Sequence, residues 1–324
     1  MHAPLRRTHG SFRPVRYALV FLVLCALSGA ARSQTCTFSV GYTDFGSIDV
    51  TDTEPADIVG GIHILCSGYS TAMVRMCLNI GHTDSRTLIG PSGATLNYNL
   101  YVDPDHQGVW GSVTAPDTVP LTLDLPVHPG GKVWEHEPFY GRIPPNQPVP
   151  NGTYTMPFSA SDTYFVYVGY TGTPPDCKTA TAPYTSGPFT VTATVGPTCT
   201  IDASPLVFRE ASLLDQPIES TSSLRVTCVS GMPFSVALDR GMTPGATTTN
   251  RKLARQGGTE TIDYQLYIDP THKVPWADGT NGTTMAFNTG TGQPQTLVVY
   301  GQVPAQESKP PGRYRDTIMA LIVF

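Results

Sequence analysis

The chain has 324 residues, enough for two domains of ordinary size. Charged residues make up 14 % and apolar residues 40 %, which excludes both a disordered charged tail and a bundle of membrane helices. With 31 Gly and 30 Pro the chain is rich in helix breakers, which favours short strands joined by turns.

The chain opens with Arg6, Arg7, Arg13 and Arg16 and no acid, followed by an apolar run from Tyr17 to Leu27. The small residues Ala31 and Ser33 come next. This order reads as a secretory leader, residues 1–33, cut before Gln34; the apolar run is short for a bilayer span. Cys25 lies in the apolar core, and the Leu24 before it is too large for a lipoprotein cleavage site. Without residues 1–33 the chain loses five Arg and no acid, leaving 15 basic against 25 acidic residues and a net charge of −10. No basic run remains, so nucleic acid is not an expected partner.

Six cysteines follow the leader: Cys36, Cys66, Cys77, Cys177, Cys199 and Cys228. An even number in an exported chain reads as disulfides, but spacing alone does not choose the pairs. An internal repeat does. LNYNLYVDPDHQGVW (96–110) and IDYQLYIDPTHKVPW (262–276) share seven identities without a gap, among them Tyr98/Tyr264, Asp103/Asp269, His106/His272 and Trp110/Trp276. FYGRIPPNQPVPNGTY (139–154) likewise matches VYGQVPAQESKPPGRY (299–314) at Tyr140/Tyr300, Gly141/Gly301, Gly152/Gly312 and Tyr154/Tyr314. Both copies open on Cys-Thr with a second cysteine about thirty residues on. The repeat therefore argues for Cys36–Cys66 and Cys199–Cys228. Cys77 and Cys177 have no counterparts in the second copy and are expected to pair with each other.

Strand signals are short and alternating: Gly61–Leu65, Ala72–Ile80, Asn97–Val102, Leu224–Cys228 and Phe234–Leu238. Turn clusters such as Pro129-Gly130-Gly131 and Asn281-Gly282 separate them, and no window shows sustained helical periodicity. The fold class expected is all-β: two tandem Ig-like antiparallel sandwiches, residues 34–197 and 198–324. The copies differ at their ends. After Tyr154 the first continues through Tyr164–Val168 to a further alternating segment, Pro188–Val195. After Tyr314 the second has ten residues, to Phe324. The second sandwich is thus expected to lack its last strand, with a groove that a strand from another chain fills. Groove candidates are Leu206 and Phe208 from an early strand and Ile318, Ala320, Ile322 and Phe324 from the last. Which face of that last strand points inward is left open. Only Gln34 and Thr35 precede Cys36 after cleavage, so no donor extension is expected and the chain suits one end of a fibre.

The Cys-Thr opening, the Y-x-L-Y-x-D-P-x-H-x-x-x-W block and the G-x-Y-x-D-T run to an aromatic end resemble the spore coat protein U domain, twice over. That domain also builds subunits of archaic, Csu-type chaperone–usher pili. Gly152-Thr153-Tyr154 lacks the following Asp-Thr, a departure from the pattern in the first copy. The resemblance implies a two-domain tip adhesin that attaches to surfaces and supports biofilm. Its implied partners are a periplasmic chaperone, an outer-membrane usher, the donor strand of the next pilin and an unknown surface or receptor. It would pass through the periplasm to the cell surface. The alternative is a structural spore or cell coat protein using the same strand exchange without a receptor.

Surface-binding candidates are residues of the first copy without a counterpart: Trp134, Tyr164, Phe165, Tyr167 and Tyr170. The competing reading puts Phe165 and Tyr167 inside a strand, in the core. Trp110 and Trp276 are paired by the repeat and read as structural. Asp103/His106 and Asp269/His272 recur in both copies, which suits a turn better than an active site. Glu135-His136-Glu137 invites a catalytic guess, but no H-E-x-x-H, C-x-x-C, G-x-S-x-G or phosphate loop accompanies it. No enzyme activity, cofactor or metal is expected. Asn151-Gly-Thr153 and Asn281-Gly-Thr283 match the glycosylation pattern, although Asn-Gly is equally a tight-turn dipeptide.

Overall fold

The computed structural model describes residues 33–81 and 86–324. The leader and its cleavage lie, apart from Ser33, outside the described residues. The first unit comprises β1 (Thr35–Gly41), β2 (Asp44–Ile48), β3 (Ala56–Ser67), β4 (Met73–Ile80), β5 (Thr87–Ile89), β6 (Thr95–Asn97) and β7 (Asn99–Tyr101). It continues with β8 (Leu121–Pro126), β9 (Val133–Ile143), β10 (Gly152–Phe158), β11 (Thr163–Tyr170), β12 (Tyr184–Thr185) and β13 (Phe189–Val195). The second comprises β14 (Cys199–Ala203), β15 (Ile218–Cys228), β16 (Pro233–Leu238), β17 (Arg251–Arg255) and β18 (Thr261–Tyr267). It ends with β19 (Ala286–Thr289), β20 (Gln295–Val303), β21 (Tyr314–Arg315) and β22 (Ala320–Val323).

The fold is all-β, with no α-helix among the described residues. The first unit has sheets ordered β1-β3-β9-β7, β2-β13-β10-β5-β6 and β12-β11-β4-β8. The second has β14-β15-β20-β18-β17-β21 and β19-β16-β22. No sheet contains strands from both units, and each unit has its own apolar core. The units meet where Val229 packs into the first core and Pro150 bridges to Ser230.

Alternation explains the core. In β13 the residues Phe189, Val191, Ala193 and Val195 are buried, and the threonines between them face outward. Cys36 and Cys66 are directly opposed in register, as are Cys199 and Cys228, and each pair is disulfide-bonded. Cys77–Cys177 is the third disulfide, closing a loop of sequence separation 100.

The repeated Y-x-D-P-x-H block is a turn in both copies. Asp103 accepts the backbone N–H groups of Gln107 (3.0 Å) and Gly108 (2.6 Å). Asp269 accepts those of Thr271, Lys273 and Val274, the last at 2.7 Å. His106 and His272 both sit at positive φ, 56° and 55°. The hydrogen bonds pull both carboxyls below their usual range. For Asp269 the Thr271 hydroxyl contributes most and the value falls to about 2; for Asp103 the Gln107 N–H contributes most. Trp110 and Trp276 are fully buried, their indole N–H groups donating to the carbonyls of Leu78 (2.8 Å) and Val236 (2.7 Å).

A pair of buried arginines escaped the sequence reading. Arg251 is fully buried and donates to the carbonyls of Trp276 (2.9 Å), Leu238 (3.1 Å) and Asp239 (2.8 Å). Arg86 donates to the carbonyl of Trp110 in the same way. Burial lowers both guanidinium pKa values, that of Arg86 to about 10. The signal was present, since Arg86 and Arg251 lie almost at the Trp110/Trp276 offset, but charged residues are seldom assigned to a core.

Candidate functional site

The second unit has only in outline a slot that is filled by strands in the first unit. There, β12 and β13 run in succession antiparallel to β11 and β10, pairing Val166 with Tyr184 and Gly152 with Val195. On its other side β13 runs parallel to β2, with Thr192 opposite Asp44 and Val195 opposite Ile48. The slot is sealed: Tyr154 (0 %), Phe158 (1 %) and Phe45 (9 %) are shut in beside it. The Phe158 and Phe189 rings stack with centroids 4.4 Å apart.

The second unit has the same walls. Phe208 meets Tyr264 edge-on at 6.2 Å and 72°, as Phe45 meets Tyr98 at 6.5 Å and 78°. Leu206 and Phe208 lie over Gly301, where a Cβ would come within 2.7 Å of Leu206; Phe45 lies over Gly141 in the same manner. The 206–208 segment is not a strand, contrary to expectation: it belongs to no sheet. It is held by hydrogen bonds from the Ser220 hydroxyl to the Val207 carbonyl (2.6 Å) and from the Ser222 hydroxyl to the Ser204 carbonyl (2.5 Å).

The opposite wall is the last segment. Arg255 opposes Tyr314 and Leu238 opposes Ala320, so β21 and β22 are each paired on one side and each end a sheet. No strand among the described residues takes the place that β12 and β13 take in the first unit. Tyr314 and Ile318, the counterparts of sealed Tyr154 and Phe158, are only half-buried, as are Leu206 and Phe208.

The face left open by alternation is resolved. Ile318, Ala320 and Ile322 pack on the second core, while Met319, Leu321 and Val323 point outward. Phe324 departs from the expected set: it lies beyond the last paired residue, Val323, and is 60 % exposed.

The surface candidates of the first unit divide. Phe165 (0 %) and Tyr167 (6 %) are core residues, which corrects their assignment to the surface. Both rings pack against Phe38, and β11 turns that face inward because it pairs with β4 along its whole length. Tyr164 is exposed, close to Tyr184 with ring centroids 4.4 Å apart. Tyr170 is half-buried and donates to Asp124 (2.8 Å) beside the Arg75–Asp124 ion pair. Trp134 stands out at 53 % exposure. Glu137 has its carboxyl raised, first by burial and then by Glu135. Among the described residues no group of three or more His, Cys, Asp or Glu is arranged to hold a metal ion. No helix of the described residues is long and apolar enough to cross a membrane.

Comparison with known proteins agrees with this repeat. Protein U of Myxococcus xanthus is 34 % identical over 117 residues, which span 35 % of this chain and 64 % of that protein. Among solved structures, a chain of the CsuC–CsuE chaperone–tip adhesion subunit pre-assembly complex, from archaic chaperone–usher Csu pili of Acinetobacter baumannii, superposes with a TM-score of 0.56. That alignment covers 90 % of this chain and 100 % of that one at 19 % identity, a likeness of fold. The Spore Coat Protein U domain matches twice, at residues 22–158 and 185–320, and the chain belongs to that family.

Proposed function

We propose that this chain is an adhesive subunit of a chaperone–usher pilus, placed at the tip, exported through the periplasm and displayed at the cell surface. Its first unit contacts the target surface and so supports attachment and biofilm formation. Its second unit accepts a strand, first from a periplasmic chaperone and then from the next subunit, with an outer-membrane usher as the further partner. The chain has no catalytic role in this reading.

The observation that carries the reading is the slot closed by β12 and β13 in one unit and left unfilled between Phe208 and Tyr314 in the other. Closing it buries three large apolar side chains in the first unit, on the order of 5–9 kcal/mol at about 1.5–3 kcal/mol each. An open slot therefore forgoes an amount comparable to a domain's whole stability. Family membership and the fold shared with a pilus tip subunit support the same assignment.

The test is thermal melting of the chain from Gln34, with and without a peptide of its own residues 184–195. The transition of the second unit should rise by about 15 °C or more on saturation, while that of the first stays put. A second unit that melts identically with and without the peptide would sink the strand-accepting role. The match to the Spore Coat Protein U domain favours a second reading, a coat protein assembled by the same exchange. A gene neighbourhood without chaperone and usher, with expression confined to sporulation, would favour it.

A further inference from the structure

The outer face of the β1–β3–β9 sheet carries two rows of side chains crossing all three strands. Register sets Thr37 beside Leu65 and Leu65 beside Trp134; in the next row Ser39 is beside His63 and His63 beside His136. Directly paired residues point to the same face, so each row is a contiguous strip. The corresponding row of the second unit is Asp202–Arg225–Thr296, without a ring. The rings belong to the first unit alone.

These rings are held in place. His63 and His136 stack with centroids 4.4 Å apart and planes 25° from parallel. Trp134 stacks one face on His128 at 3.9 Å and 17°. Gly61 admits the His136 ring against bare backbone, since a Cβ there would fall 2.1 Å from its Nε2. Together with Thr37, Ser39 and Leu65 the rings line a concavity of ≈ 820 Å³.

Charge narrows the ligand. The lining contains Glu135 and neither Lys nor Arg, so phosphate, sulfate and carboxylate groups meet no cation when the imidazoles are neutral. A cationic ligand gains little, because Glu135 is paired with buried Ile64 rather than with the ring rows and one of its oxygens already accepts the backbone N–H of His136 at 3.0 Å. What remains is an indole face flanked by groups that both donate and accept, the imidazoles and the Thr37 and Ser39 hydroxyls. That pattern complements a sugar ring, apolar on its C–H face and hydroxylated at its rim.

We propose that this concavity binds a neutral glycan, stacked on Trp134 and hydrogen-bonded by His63, His136 and the Ser39 hydroxyl. The proposal rests on the adhesive role given to the first unit and names its ligand class. Of the three Trp in the chain, Trp110 and Trp276 are fully buried, so a change in tryptophan emission on adding ligand reports Trp134.

The experiment titrates the chain from Gln34, its slot filled by the 184–195 peptide, with cellohexaose, chitohexaose, mannohexaose and heparin. At least one neutral hexasaccharide should give a saturable blue shift and heparin none. By calorimetry, Trp134→Ala and His63→Ala should each weaken binding by about tenfold or more, with Trp134→Phe retaining part of it. Failure of all three neutral saccharides, binding of heparin instead, or undiminished affinity in both Trp134→Ala and His63→Ala overturns the glycan site. Peptide uptake is read in the same samples, so a chain that takes the peptide and ignores the saccharides loses only the ligand class.

Discussion

Tyr154 and Phe158 are sealed beside Ala193 and Phe189, their partners on β13, whereas Tyr314 and Ile318, at the same places in the second unit, are only half-buried. The walls of the slot scarcely differ: Phe45 and Phe208 make the same edge-on contact to Tyr98 and Tyr264 and cover the same glycine. A shared scaffold thus supports two opposite outcomes, and the difference lies in one strand rather than in the core residues. An edge with apolar side chains beneath it is a template for another chain. In the function proposed above, the unit that leaves this template open takes a strand from another subunit, and the unit that closes it meets the target.

The sharpest way to break this contrast is to open the first unit. Val191→Asp places a carboxylate at a fully buried position of β13 and should cost more than about 4 kcal/mol in chemical denaturation, with the second unit unaffected. Equal stability of the variant would mean that β13 does not hold the first sandwich closed.

Next in size are the arginines that both units share. Arg251→Met leaves the carbonyls of Trp276, Leu238 and Asp239 without their donor and should destabilise the second unit by about 3 kcal/mol or more. Arg86→Met should do the same to the first through Trp110. Urea melts of the two variants would separate the units if each loss falls on its own transition.

The disulfide peculiar to the first unit sharpens the contrast further. Replacing Cys77 and Cys177 together by Ser should lower the first transition by about 2–4 kcal/mol and spare the second. A uniform fall in both would point to coupling across the Val229 contact.

The smallest effects concern surfaces. Asp103 and Asp269 have depressed pKa values in the fold, so their contribution is complete above the ordinary carboxylate value of 3.8 and is lost as pH falls toward about 2 for Asp269. Asp269→Asn should flatten the acid limb of the second unit's melting curve between those values, and an unchanged limb would remove the turn from the account. Trp134→Ala, at an exposed position, should alter stability by less than about 0.5 kcal/mol.

The sequence by itself determined the number of units, the all-β class, the three cysteine pairs and the turn role of Asp103/His106 and Asp269/His272. These rest on local alternation and on a repeat that aligns residue with residue. The extra segment Pro188–Val195 was equally legible, and with it the asymmetry of the two units. Tertiary structure decided what depends on neighbours distant in sequence. Alternation says that one face of Ile318–Phe324 is inward, but only pairing with β16 says which. An aromatic run such as Tyr164–Tyr170 reads the same whether exposed or buried, and pairing with β4 sent Phe165 and Tyr167 into the core. The ring-lined face needs His63, His128, Trp134 and His136 from separate stretches, and it exists because register brings β3 beside β9.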